Sequence, residues 1–427
     1  MAALPAPSPL SETQRRHGLW VIQIANFFAW GGFFLVVPLV AVQYVDNLGW
    51  AAGTVGLLLA VRQFTQQSAT TLFGVLCDRI GPKPLICTGM VLRGIGFATM
   101  GYATAFWPML GSLVLAAIGG AMFDSPKSAT AVALTRPEER QRVYALMGVI
   151  GGIGVTIGTQ LGALLIRFDF RLVCLAAASA YIVILFVVWI FLPPLRVASG
   201  AAAGSLSGLG IALRDRTFVR FMLLMSGYWF AWTQFSLTIT LAATEIAGTT
   251  AAVSWIYLVN TVVAVGLGFV LPAWLGRWLP PIQLTIGGMA VLAIGLAMVG
   301  FASTTAMVLV AAAVFSLGAI ISRPGQETVT ANLADPAFRG TYFGVAFLSM
   351  AIGGGLGNLV GGVAYDYGIR HDLQTVTWLM FGGVCAIGLW WNRRAFSAVR
   401  EDPAAEPPPP PQPAPRARPA SATAAGK

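Results

Sequence analysis

The chain has 427 residues, of which 57% are hydrophobic and 10% charged, with a net charge of +10 and a mean hydropathy of +0.76. Soluble domains run near 45–50% apolar and about 25% charged, so this composition excludes an ordinary water-exposed surface. The positive charge lies in loops and tail rather than on a basic face interleaved with aromatics, which excludes nucleic acid as a partner.

Runs of about 20 apolar residues, the length needed to cross a hydrocarbon core of ~30 Å, recur along the chain. They predict an all-α polytopic membrane protein with spans near 18–43, 53–77, 85–103, 108–131, 142–166, 172–192, 218–243, 253–276, 282–301, 306–331, 339–365 and 375–392. Arg15 and Arg16 followed by an apolar run resemble the start of a signal peptide. That run passes Val42 without a small-residue cleavage site, so it reads as a retained first span behind a short segment, 1–17. Two groups of six spans, 18–192 and 218–392, flank the one long internal loop, 193–217. This linker opens on Pro193-Pro194 and closes on Arg214, Asp215 and Arg216. The Pro/Ala-rich tail, 393–427, cannot bury a core and is expected to be disordered.

Lysine and arginine counting sets the expected orientation. With the N-terminus inside, cytoplasmic segments hold 19 of the 26 basic residues and the opposite loops hold three, Arg167, Arg171 and Arg370. Both termini and the linker are therefore expected in the cytoplasm. The four cysteines, Cys77, Cys87, Cys174 and Cys385, show no CxxC spacing, and His17 and His371 lie outside the spans. No metal, cofactor or disulfide framework is indicated. The phosphate-binding pattern GxxxxGK[ST] is absent, so direct coupling to ATP has no support.

A shift of 199 residues superimposes the halves. It carries Pro82 onto Pro281, Gly89 onto Gly288, Gly96 onto Gly295, Gly101 onto Gly300 and Arg140 onto Arg339. It also carries Gly154, Gly158 and Gly162 onto Gly353, Gly357 and Gly361. A six-span unit has been duplicated in parallel, which describes the major facilitator architecture of two pseudo-symmetric six-helix bundles.

The stretch GVLCDRIGPKPL, through Gly74, Leu76, Asp78, Arg79, Gly81 and Lys83, resembles the loop 2–3 signature of major facilitator transporters. YVDNLGWAAGTVG, AVRQFTQQ, TGMVLRGIGFATMG and FDFRLVC resemble the MdtH-type multidrug transporters of Gram-negative bacteria. The resemblance covers all twelve spans and implies drug export by proton antiport from the inner membrane. Two departures stand out. Thr159 replaces the proline of the fifth-span antiporter motif, and the fourth-span stretch VLAAIGGAMFDSPKS lacks that family's usual arginine.

Small residues let helix backbones approach in lipid. The glycine sets Gly154, Gly158, Gly162 and Gly353, Gly357, Gly361 are therefore expected to pack helices, either generically or at the interface between halves. Ionisable groups within spans are costly and are functional candidates by default. Arg62, with Gln66 one turn on, lies too deep for easy snorkelling, whereas Arg93 can reach the cytoplasmic edge. Asp124 and Lys127, and the matched Arg323 and Glu327, are candidates for a cytoplasmic gate of interhelical salt bridges or for ordinary structural pairs. Asp124 and Glu327 are also the deep carboxylates that could take up a proton. A drug cavity should be apolar and aromatic with a few polar anchors. Asn26, Trp30, Arg62, Gln66, Tyr228, Trp232, Gln234, Tyr257 and Asn260 fit that description.

The expected function is a monomeric secondary transporter in the lipid bilayer, carrying a small amphiphilic or lipophilic substrate and, from the resemblance, protons. The rivals are a transporter of one specific metabolite and a non-transporting sensor or scaffold; no enzyme constellation is visible. Asp78, at the end of span 2, is placed to face the N-terminus of span 11 near Gly340 as a latch between the halves. Its duplicated counterpart is Arg277, so such a latch is one-sided. Asp78→Asn should accordingly reduce transport several-fold while leaving the amount of folded protein in the membrane near that of the parent chain, measured by transport in vesicles normalised to detergent-extracted monodisperse protein.

Overall fold

A computed structural model describes residues 11–136, 139–193, 210, 212–334 and 339–397. These residues form helices and no strand. Span 1, Glu12–Ala41, runs on through a π-helical turn, Val42–Asn47. Spans 2 to 6 are Ala52–Ile80, Pro82–Met100, Phe106–Leu134, Arg140–Leu165 and Phe170–Phe191. Span 7 is broken into Arg216–Gln234 and Thr238–Ala247, and span 8 into Ala251–Leu267 and Val270–Leu275. Spans 9 to 12 are Pro281–Val299, Thr305–Leu333, Arg339–Arg370 and Gln374–Ser397. Among the described residues, seven helices are long and apolar enough to cross a membrane by composition alone. The other spans fall short by this measure, span 8 because its longer piece, Ala251–Leu267, has 17 residues.

Helices overrun the expected apolar limits at both ends of the bundle. Span 11 has 32 residues and runs past its expected far-end limit to Arg370, about 48 Å at 1.5 Å per residue, against a core of ~30 Å. At the near end, where span 1 begins, Arg15 donates to the Glu139 carboxylate at 2.6 Å and to the Leu134 carbonyl at 3.3 Å. Lys83 donates to the Leu192 carbonyl at 2.6 Å, tying the 2–3 turn to the end of span 6. Gly81 has φ of +86°, a conformation natural only to glycine, and Pro82 follows as the first helical residue of span 3. The turn read from the sequence is thus formed by this pair.

The break in span 7 is repaired by Gln234. Its amide nitrogen donates to the Phe230 and Gly357 carbonyls, while its oxygen accepts from Thr238 at 3.0 Å. Gln234 is fully buried and spent on backbone, so it does not line a cavity as expected.

Contacts repeat between the halves at the 199-residue offset. Gly119 packs on the Gly89 carbonyl and the Arg93 amide; Gly318 packs on the Gly288 carbonyl and the Leu292 amide. The glycine ladders show why a shared offset misleads about location. A methyl on Gly154 would lie 2.5 Å from the Phe27 carbonyl, and methyls on Gly158 and Gly162 would strike the Gly31 and Leu35 carbonyls. Gly353 meets Ser226, Gly357 meets Phe230 and Thr233, and Gly361 meets Gln234. These ladders bind span 5 to span 1 and span 11 to span 7, inside each half. The expectation that they form the surface between halves is overturned, because duplication preserves a helix's neighbours within its own unit.

Backbone offers no give, so overpacking at this crossing should cost roughly 1–3 kcal/mol or more. Gly158→Leu is expected to lower the thermal midpoint and folded yield in detergent, whereas Gly152→Leu, where an added carbon meets nothing within 4 Å, should leave both unchanged.

Candidate functional site

The two halves meet along spans 2 and 11 and along spans 5 and 8. Asn358 and Gly362 of span 11 approach Gly56 and Ala52 of span 2 at backbone contact, and Gly354 touches the Gln63 side chain. Thr156 donates to Thr261 at 2.9 Å and Gln160 to the Ser254 carbonyl at 3.2 Å. At the far end, Asp366 accepts from the Ala52 amide at 2.9 Å and the Gly53 amide at 2.7 Å. Thr244 donates to Asp46 there at 3.3 Å. Every hydrogen bond between the halves lies from mid-depth to this far end among the described residues. These contacts shut the seam at the far end.

Asp366 is a carboxylate at the end of span 11 that caps the start of span 2. This is the expected Asp78 device reflected through the molecule, with span 11 supplying the acid and span 2 the amides. The side chains of Asp78 and Arg79 lie outside the described residues. The sequence signal missed for Asp366 was a span ending in Asp opposite a span whose first turn, Ala52-Gly53, carries no capping side chain of its own.

The N-terminal half holds a polar cluster to which all six of its spans contribute. Arg62 donates to Gln66 at 2.9 Å, and Gln66 donates to Asp124 at 2.9 Å. Lys127 lies 3.9 Å from Asp124 and donates to Asn26 at 3.2 Å; Asn26 donates to the Met147 carbonyl at 2.8 Å. Arg62 and Arg93 share the face of Phe33, at 4.6 and 5.5 Å from its ring centre, and Arg93 also lies over Tyr181 at 5.0 Å. Arg62, Arg93, Lys127 and Asn26 are buried, while the Asp124 side chain is 38% exposed. The sequence suggested that Arg93 would reach the cytoplasmic edge; it turns inward instead, because Gly119 and Gly120 leave room for it against span 4.

Next to this cluster an aromatic series crosses the seam. Tyr228 stacks with Trp232 at 6.3 Å, Trp232 with Phe315 at 6.1 Å and Phe315 with Phe235 at 5.2 Å. Phe235 meets Tyr257 at 5.0 Å, Tyr257 meets Phe34 at 5.7 Å, and Phe34 stacks with Trp30 at 5.8 Å. Phe33 adjoins Phe34 at 5.2 Å and leads to the two arginines. Trp30, Phe33, Phe34 and Trp232 keep partly accessible faces, whereas Tyr228 and Tyr257 are buried. Asn260 sits to one side, accepting from Ser316 at 2.9 Å. Phe33, Phe34, Phe235 and Phe315 were not singled out from sequence, since nothing distinguishes a seam phenylalanine from a lipid-facing one before the helices are placed.

The proposed gate pairs stay within their own helices. Arg323 meets Glu327 at 3.8 Å, with both side chains more than 60% exposed, and no ion pair joins span 4 to span 10 among the described residues. Among those residues no group of His, Cys, Asp or Glu is arranged to hold a metal.

The chain matches the Major Facilitator Superfamily description over residues 19–358. It is 36% identical over 373 residues to the multidrug resistance protein MdtH of Aeromonas hydrophila, covering 87% of this chain and 94% of that protein. It is 37% identical over 383 residues to MdtH of Cronobacter sakazakii, covering 88% and 94%. The crystal structure of the nucleoside transporter NupG is similar at a TM-score of 0.71 and 14% identity, covering 88% of this chain and 98% of that one. A bacterial homologue of the lysosomal transporter Spinster, solved inward-facing and unoccupied, is similar at 0.73 and 15%, covering 92% and 100%. At such identities the structural likeness is one of fold.

Removing a helix cap costs about 0.5–2 kcal/mol. Asp366→Asn should therefore loosen the far-end seal: a single cysteine introduced at Ala51 should be labelled several-fold faster by a membrane-impermeant maleimide than in the parent background. An unchanged rate would show that the cap does not hold the seam.

Proposed function

Because the chain belongs to the major facilitator superfamily, and is thus a multi-pass membrane transporter and not an enzyme, we propose that it exports small amphiphilic compounds by alternating access. The observation that carries this reading is the aromatic series crossing the seam and ending on buried cations. An apolar body can lie on the exposed faces of Trp30, Phe34 and Trp232 while its polar end meets Arg62, Gln66, Lys127 and Asn26. In this reading substrate enters from the near end, and the far-end contacts around Asp366 and Asp46 must yield for release.

The direction follows from two further supports. Basic residues concentrated at the near end support a reading in which that end, both termini and the linker face the cytoplasm of a bacterial inner membrane. The relatives at 36–37% identity are multidrug resistance proteins. In this reading the chain works as a monomer of two bundles, 18–192 and 218–392, rocking about the seam, and protons move inward in exchange. The ladders Gly154–Gly162 and Gly353–Gly361 keep each bundle stiff as it rocks.

Inverted vesicles carrying the chain are expected to accumulate a lipophilic dye when the interior is made acidic, and to stop when the gradient is collapsed. Dye movement indifferent to the gradient, together with saturable transport of one small metabolite, would overturn the multidrug reading.

A further inference from the structure

Charge in a membrane interior must be paired, because an isolated buried ion loses its hydration without compensation. The cluster in the N-terminal half does not balance. Arg62, Arg93 and Lys127 are three cations, and Asp124 is the one carboxylate that contacts any of them among the described residues. Two positive charges are left over.

The excess is not scattered. Arg62 and Arg93 converge on one phenylalanine ring, Phe33, and Lys127 is linked through Asp124 and Gln66 to Arg62. Ring faces supply part of the missing counter-charge but only weakly. Arg93 Nε, although buried, has no hydrogen-bond partner, and neither has the Gln63 amide nitrogen beside the cluster. These are donors without acceptors. The duplicated half has no such excess: the 199-residue offset puts Thr261, Leu292 and Gln326 where Arg62, Arg93 and Lys127 stand. The cations are therefore no requirement of the fold, which the other half builds without them.

We propose that this cluster recognises an anionic group, a carboxylate or its equivalent, on the transported molecule, and that Asp124 occupies the cations when substrate is absent. The proposal rests on taking the seam as the substrate path. The aromatic series then reads as the bed for the apolar part of the same molecule, with Phe33 joining bed to anion site. A permanent internal counter-ion in place of a substrate anion would hold the cations neutral in every state and leave nothing to recognise. An exchangeable one, Asp124, is weakly placed: it contacts Lys127 at 3.9 Å and reaches Arg62 only through Gln66. Its exposed side marks the way in.

The test uses the full chain purified in nanodiscs and three probes of one shape: 2-naphthoate, the neutral 2-naphthamide and the cationic 2-naphthylmethylammonium. Binding is followed by quenching of tryptophan fluorescence, to which Trp30 and Trp232 should contribute. The acid should bind about tenfold or more tighter than the amide, as expected for one hydrogen bond to a charged group, and the ammonium weakest. Lys127→Gln and Arg62→Gln should collapse the acid-over-amide ratio. Asp124→Asn, by removing the resident competitor, should raise acid affinity several-fold. Each variant is first checked for a parent-like elution profile and thermal midpoint, and Gly120→Ala, whose added carbon would lie 2.8 Å from the Arg93 guanidinium, gives an independent perturbation that should lower the ratio without removing a charge.

Equal affinities for the three probes, preference for the ammonium, or loss of acid binding in Asp124→Asn would each overturn the proposal. So would an acid preference that vanishes in about 0.15 M chloride, which would assign the site to an inorganic anion rather than to substrate. Gradient-driven dye movement in vesicles reads the transport function separately, and its persistence in any of these cases would leave that function standing.

Discussion

Everything mobile in this molecule depends on a constraint that is not mobile: contact of helix backbone against helix backbone within each half. Where Gly158 meets the Gly31 carbonyl and Gly353 meets Ser226, no side chain intervenes and none can be inserted. In lipid, where apolar side chains gain little by leaving their surroundings, such close crossings are a main source of helix association. Spans 1 and 5, and 7 and 11, are locked by them, as are spans 3 and 4 and spans 9 and 10 through Gly119 and Gly318. Rearrangement is thereby confined to surfaces lacking such ladders along their whole length. The seam is such a surface, close-packed from mid-depth to the far end among the described residues.

Duplication explains the frame, and departures from duplication explain the site. The two halves place helices alike to the level of individual glycine contacts. Against that equal background the N-terminal half carries cations and amides at mid-depth, and the C-terminal half carries Trp232 where the other has Phe33. The N-terminal half adds buried charge to its share of the aromatic series, and the C-terminal half supplies the rest of that series without the charge. An amphiphile lying across the seam would meet both chemistries at once.

Much of the fold was legible because a bilayer leaves few choices: apolar runs of the right length must be helices, and an even number of spans per unit must give a parallel repeat. The 2–3 turn was legible from Gly81 and Pro82, and the depth of Arg62 from its distance to either end of its span. What was hidden was direction. Arg93 reads as a residue that snorkels until Gly119 and Gly120 are seen to open a recess beside it. Gln234 reads as a polar anchor until the break in span 7 claims its amide. Periodicity reports that a face is small or polar, and says nothing about which of several neighbouring helices that face meets. The acid of Asp366 escaped notice for a related reason: its partners are backbone amides 314 and 313 residues away, which leave no side-chain signature.

The way Asp366 holds the far end has a bearing on speed. A carboxylate bonded to two amides exchanges those bonds for water when it separates, and water is available at that depth as soon as the seam parts. Neither partner is stranded in hydrocarbon on the way. A closure built on such bonds is undone by hydration in small steps rather than in one. A seal made of interdigitated apolar side chains could be as tight, but it would have to wet a dry surface before it moved at all. Turnover in a carrier that visits both states in every cycle is served better by a contact whose broken form is already solvated.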